Sequence, residues 1–312
     1  MSFSGSAAAQ IRGHFDRTLK VSGSVTLSVT SGSGSVAVTA GDDASVRVVG
    51  TIRGTTRRGE WSDSDVERAV RTIEAKPPIV QNGSTIGLGA IDDEELRQRV
   101  SISWEVTVPK RTALTAKTGS GSVQIAALAG PVNANSGSGS ITIGAIDSAV
   151  DVRTGSGSIR VDGARDRLNA SSGSGEVRLG AISGKVAIDT GSGSISVSKA
   201  AEATVDVSTG SGEIAITDLS GGVTAKAASG SIHITGTPTA DWQLHSSSGS
   251  IVLGIPLGTA FRVQANTSSG SIDTDHKLTI THAGRRELTG TVGAGGVLVD
   301  ARTSSGSIRI GR

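Results

Sequence analysis

Residues 118–161 read TGSGSVQIAALAGPVNANSGSGSITIGAIDSAVDVRTGSGSIRV, and within this stretch the motif S-G-S-[IV] returns every 18 residues. With the glycine of each S-G-[SE]-[IV] motif as origin, copies fall at Gly34, Gly121, Gly139, Gly157, Gly175, Gly193, Gly212, Gly230, Gly249, Gly270 and Gly306. From Gly121 the interval is 18 residues four times, then 19, 18, 19 and 21, and the last interval of 36 equals two periods. Such a period marks a repeat architecture, in which each unit buries its apolar face only against its neighbours.

Aligning the copies turns the motif into columns. Two residues after the origin every copy carries Val or Ile, from Val36 and Val123 to Ile308. Seven before it stands Leu, Val or, once, Trp242; five before it stands Ala, Val, Ile or Leu. The apolar offsets step by two, which is the side-chain period of a strand with one face inward. The column three before the origin is small and hydroxylated, as in Thr118, Ser136, Thr154, Ser172, Thr190 and Thr209, and fits a corner. Four before the origin the residues vary and are polar (Lys117, Asn135, Arg153, Ser171, Asp189, Ser208, Lys226), as an outward column should be.

Columns held in register predict an all-β chain: a single parallel β-solenoid, or β-helix, of ~18-residue rungs, with like side chains stacked from rung to rung. Right-handed winding is favoured, and glycine is expected to supply left-handed or crowded corner conformations. An antiparallel meander of the same period is the alternative. Eleven rungs and one degenerate rung at ~4.8 Å each would make a rod of about 55 to 60 Å.

The expected organisation is an N-terminal arm over residues 1–19 and a solenoid over 20–312, interrupted twice. The insertion at 55–98 carries Val66, Ala69, Val70 and Ile73 on one face of a helix over about 62–75, with Ser64 and Glu67 as a capping box and Pro77 and Pro78 as its stop. That helix is expected to pack near Val36 or Val123 and cover the N-terminal end of the core. The second break, 273–296, reads as a hairpin by its alternation at Leu278 and Ile280. After Ile310 only Gly311 and Arg312 remain, so the last strand is expected to form an edge that this break either covers or leaves to a neighbour. Coverage and a monomer are favoured, because Arg309 and Arg312 would place like charges where two copies meet; end-to-end or dimeric association is the alternative.

The chain is similar to the bacterial DUF4097 family of adhesin-like proteins. The resemblance rests on FDRTLKVSG (15–23), VSISWEVTVPK (100–110), the S-G-S-[IV] rungs and TGTVGAGGVLVDARTSSGSIRI (289–310). It implies a β-solenoid of the cell envelope or surface, extracytoplasmic and without an established catalytic activity. The first residues, MSFSGSAAAQ, lack the charged and apolar regions of a secretory signal.

Composition narrows the function classes. Three Trp, three Phe and no Tyr leave no aromatic platform for single-stranded nucleic acid or stacked sugars. Thirty basic against 28 acidic residues, without a basic run, give no phosphate-tracking surface, so no nucleic-acid partner is expected. DDEELRQR (92–99) changes sign within itself and reads as a solvated turn or short helix. Zero Cys excludes thiol chemistry, and no apolar run is long enough for a membrane span.

Repeated G-S-G-S between strands suits turns rather than a single phosphate loop. Its Ser, with Glu only at Glu176 and Glu213, lacks the carboxylate per turn of calcium solenoids. An inward Thr and Ser ladder does not make an ice-binding face. Of His14, His233, His245, His276 and His282, only the run Asp273, Asp275, His276 looks metal-like, and a solvated turn is the simpler reading. Asp151, Asp189 and Asp206 point outward among Arg153, Lys185 and Lys199 without repetition.

No catalytic, cofactor-binding or metal residue is therefore nominated, no cofactor is expected, and the ligand-binding residues stay unknown. The reading is a non-enzymatic envelope or surface scaffold for an unidentified protein or glycan. The alternative is a carbohydrate-active lyase or hydrolase on a β-helix.

Overall fold

The computed structural model describes residues 11–55 and 61–311. Residues 1–10 of the expected arm, 56–60 of the insertion, and Arg312 lie outside the described residues. Strands take 61% of the chain and helices 6%, so the all-β expectation holds. No helix among the described residues is long and apolar enough to cross a membrane.

The 25 strands among the described residues join one sheet that winds into a rod. Along one wall Val132, Val150, Leu168, Val186, Val205, Val223 and Trp242 are successive parallel partners. Along the next, Ile141, Ile159, Val177, Ile195, Ile214, Ile232 and Ile251 are. Both columns are buried throughout, and the parallel register rules out the meander. A third inward column, seven residues after the six origins from Gly121 to Gly212, fills the remaining corner: Leu128, Ile146, Ala164, Ile182, Ala200 and Leu219 are buried there. Trp242 occupies a valine position without leaving its indole unpaired, because Nε1 donates to the Gly221 carbonyl at 3.0 Å.

The motif-origin glycines are there for crowding rather than for left-handed backbone. None of the motif-origin glycines has positive φ. Instead a Cβ on Gly121, Gly139, Gly157 or Gly175 would run into the carbonyl oxygen of the origin glycine one rung back. Crowding is thus the outcome at the motif turns, while positive φ occurs at other bends of the rungs, at Gly184, Gly221 and Gly236.

At the C-terminal end the stacking order departs from the chain order. Leu298–Thr303 pairs on one side with Ile232–Ser246 and on the other with Phe261–Thr267. Ile308–Gly311 likewise lies between Ile251–Gly254 and Ile272–Thr274. The last rung of the chain is thus the second-to-last of the rod, and Ile310 is interior rather than on an edge. The 36-residue interval holds no degenerate rung. It holds the hairpin Leu278–Ala283 and Glu287–Val292, whose second strand pairs antiparallel with Phe261–Thr267 and covers the outermost rung.

The N-terminal end is finished by a mixed sheet. Val100–Pro109 pairs parallel with Val36–Gly41, then Ser45–Gly54 and Arg12–Lys20 follow antiparallel. On the other wall Thr85–Leu88 pairs with Val25–Ser31 and carries the antiparallel strand Ile79–Asn82. Helix α1, Asp63–Ala75, buries Val66, Ala69, Val70 and Ile73. It packs on Arg12–Lys20 and Ser45–Gly54, not on the first rungs. Gly13 and Gly54 leave the space that Val70 and Val66 enter. The added strands stand where the helix was expected to sit, which is why it lies one layer further out. Its capping box uses Ser62 and Asp65 instead of Ser64 and Glu67, because Ser62 has the extended backbone of an N-cap and helical geometry starts at Asp63. Helix α2, Glu94–Arg99, starts at the N-cap Asp93.

Candidate functional site

A repeated hydroxyl sets the corner beside the first wall. Thr154 Oγ1 accepts from the Gly157 amide at 3.2 Å and donates to the Gly139 carbonyl one rung back at 3.0 Å. Thr118, Ser136, Ser172, Thr190, Thr209 and Ser246 do the same on their rungs. Each hydroxyl therefore closes its own turn and bolts it to the neighbour. This fixes the side chains just before it, four and six residues ahead of the origin, in two straight outward rows.

Those rows carry almost only hydrogen-bonding and charged groups. One runs Lys117, Asn135, Arg153, Ser171, Asp189, Ser208, Lys226, His245 and the other Thr115, Asn133, Asp151, Asn169, Ala187, Asp206, Thr224, Gln243. Where Ser171 and Ala187 are short, the face sinks into a trough of about 420 Å³. Arg153 borders it at one end and Lys226 at the other, with Asp189 and Asp206 between them. Arg153 is held by Asp151 at 2.7 Å, and the Ser208 hydroxyl donates to Asp189. Lys226, His245 and Arg302 occupy successive rungs of one row, and Arg302 pairs with Asp300 at 2.8 Å.

The structure gathers Asp151, Asp189, Asp206 and Arg153 on this one face. Lys185 lies at its rim beside Thr204, and Lys199 belongs to another wall, opposite Ala181. Glu176 lies on the second wall bound to Arg178 at 2.6 Å, next to Arg160 with Asp162 at 3.0 Å. Arg160 and Arg178 are direct register partners, and their carboxylates draw them to opposite sides.

The run Asp273, Asp275, His276 does not converge. Asp273 accepts from Ser271, Asp275 faces Arg309 at 3.7 Å, and His276, in the bend after the strand Ile272–Thr274, is buried against Phe261 with rings 5.3 Å apart. His276 takes the position that Ile255 holds in the Gly249 rung, a coincidence of spacing that the sequence already contained. Among the described residues no group of three His, Asp or Glu is placed to hold a metal ion. What the columns alone could not reveal was the trough, since it depends on two short side chains falling on adjacent rungs.

A family model described as Toastrack DUF4097 matches residues 25–311. Solved structures with similar chains include "a putative adhesin" from Bacteroides fragilis, 12% identical over 95% of this chain and 96% of that one, with a TM-score of 0.42. Another is "a putative cell adhesion protein" from Clostridium sporogenes, 10% identical over 96% and 99%, with a TM-score of 0.23. A third is a "putative lipid binding protein" from Parabacteroides distasonis, 19% identical over 78% and 97%, with a TM-score of 0.46. Among curated proteins none matches.

Proposed function

The chain belongs to the Toastrack DUF4097 family, and on that premise we propose that it is a non-enzymatic scaffold of the cell envelope or cell surface. Its working part is the polar face described above, which holds an extended hydroxyl-rich or charged partner, a glycan strand in the first instance. The observation that carries this reading is the trough between Arg153 and Lys226 on a wall whose rows are straight and rigid. A chain of donors and acceptors repeating at the rung spacing suits a polymer better than a compact small molecule. With no Phe, Tyr or Trp in the rows, recognition rests on hydrogen bonds and charge.

Binding without turnover fits the same geometry. Paired carboxylates that cleave a glycosidic bond flank it from two sides. Asp189 and Asp206 stand side by side on one open wall, on adjacent rungs. The extracytoplasmic location is part of the proposal and is checked by protease accessibility on intact cells.

The binding test uses full-length protein and isolated envelope polysaccharide, with envelope proteins in a parallel arm. Ser171→Trp and Ala187→Trp should fill the trough and weaken retention at least tenfold, whereas Thr142→Trp on the second wall should not. Equal binding by all variants, or release of shortened sugar chains, would overturn the reading. Retention of envelope protein alone would replace the glycan by a protein partner.

A further inference from the structure

The chain builds its last three rungs out of order. After the Gly249 rung it leaves one step empty, lays down the Gly270 rung and the Leu278–Ala283 and Glu287–Val292 hairpin, and then returns to fill the step. Both sides of that slot are made of earlier chain. The filling rung brings Val299, Ala301, Ile308 and Ile310 into the core, each at most 1% exposed. It is bolted on both sides: Thr303 donates to the Gly249 carbonyl at 2.8 Å, and Thr267 to the Gly306 carbonyl at 2.7 Å. Ile308 N donates to Ser271 O at 2.9 Å, and Ile251 N to Ser307 O at 3.0 Å.

The connection into the rung is Gly293, Ala294, Gly295, Gly296, whose glycines have φ of +57°, +80° and +133°. Glycine is the residue that adopts such conformations without strain and also leaves them freely, so the connection can swing. None of these residues is buried.

We propose that residues 297–311 form an exchangeable closing rung, and that the partner fitting the slot between the Gly249 and Gly270 rungs is the same rung of a second copy of this chain. The product is a reciprocally swapped dimer with the C-terminal ends of two rods facing each other. The slot's complementarity carries the argument. It takes β-branched side chains two after a glycine, a hydroxyl three before it and a cation, Arg309, opposite Asp275. A second copy supplies all of these with the hydrogen bonds of the closed rung retained; those given up belong to the connection, from Gly295 N to the Val292 carbonyl and from Arg262 Nε to the Gly296 carbonyl. Only the glycine connection has to change, the circumstance in which exchange of an identical element is a low-cost route to dimers. Because the slot's walls precede the filler in the chain, a folding molecule holds the slot open until the filler docks, and a neighbour's filler competes in proportion to concentration.

The chain has no cysteine, so single thiols report on the slot. Val252 and Arg309 are register partners across it, neither of them buried. Full-length Val252→Cys and Arg309→Cys chains are mixed unfolded, refolded together at rising concentration and oxidised. The expected result is a dimer fraction that grows with refolding concentration, with a disulfide joining the two different chains. The double variant refolded dilute should close within one chain.

Unsubstituted protein that refolds as monomer at every concentration would overturn the proposal. So would dimers that do not cross-link while the double variant closes. A thiol-free arm stands beside this: deleting Gly295 and Gly296 shortens the connection, which should raise the dimer fraction about tenfold, since short strained hinges invite exchange. No rise overturns it equally.

Discussion

The hydroxyl of Thr118 donates to the carbonyl of Gly34 at 3.0 Å, across 84 residues of chain. The same bond recurs between residues 15 or 16 apart on successive rungs all along the regular part of the rod. A bond that joins distant and near neighbours in one geometry shows that the Gly34 rung is a full member of the stack although the insertion separates it from the next. The hydroxyl column is therefore a structural thread of the rod, and the first prediction concerns it.

Thr154→Val keeps the shape and removes the hydroxyl. It leaves the Gly139 carbonyl and the Gly157 amide without their partner in a buried corner, at a cost of about 1 to 3 kcal/mol. Thr154→Ser should be close to neutral. The chain contains the inverse experiment at Ala227, the position in the Gly230 rung where the column lacks a hydroxyl. Ala227→Ser should stabilise by up to about 1 kcal/mol. Urea midpoints of the three variants give the check, and a destabilised Ala227→Ser would show that the corner has relaxed around alanine.

The glycine column should be less forgiving than the glycines two residues ahead of it. Gly157→Ala drives a methyl into the Gly139 backbone, which can move only if the rungs separate. A loss of about 3 kcal/mol is expected from such overpacking. Gly155→Ala meets the Gly137 carbonyl at a more open turn, and the chain itself carries Ala228 and Ser247 at the equivalent position. It should cost less than half as much. Equal losses would mean that turn conformation rather than rung spacing selects glycine.

These columns explain what was readable from sequence. A parallel stack asks the same question of every rung, so Ile159, Val177 and Ile195 answer alike and reveal wall, face and corner together. The order of the last rungs was not readable, because Ser268 to Ile272 and Ser304 to Ile308 are both SSGSI and either fits either step. The antiparallel strands at Arg12–Lys20 and Ser45–Gly54 follow no column, since their partners run the other way. The polar face was legible as a row, but its trough needed the sizes of Ser171 and Ala187 side by side.

Acid should loosen the N-terminal end before the rod. Hydrogen bonds from the Ser62 side chain and backbone hold the Asp65 carboxyl below the usual aspartate range, and the Arg47 side chain does the same for Asp16. A depressed folded value means the contribution is fully present above the ordinary carboxylate range and disappears as pH falls through the lowered value. Asp16 is exposed and Asp65 half-buried at the helix start, both outside the core, so the effect is local. Hydrogen exchange of residues 63–75 should quicken on acidification below the ordinary range while residues 132–227 stay protected, and Asp65→Asn should flatten that dependence. Simultaneous loss of protection in both regions would refute a local cause.

The outermost strand at the C-terminal end, Leu278–Ala283, pairs only with Glu287–Val292 and leaves Ile280 56% exposed. A free edge with an exposed β-branched residue is a template for another chain, and this strand has no Lys, Glu or Pro within it to discourage that. Its protection is a break in register between Ile280 and His282, where Thr281 goes unmatched; such a bulge twists an edge away from a flat partner. Two variants separate these effects. Ile280→Lys should suppress slow association of folded protein, seen as a flat light-scattering trace over days, and change stability by less than about 0.5 kcal/mol as surface substitutions do. Deletion of Thr281 straightens the edge and should speed association. This association needs no unfolding, so it is distinct from rung exchange, which depends on concentration during refolding. If Ile280→Lys and the unsubstituted protein associate at the same rate, the edge is not the contact.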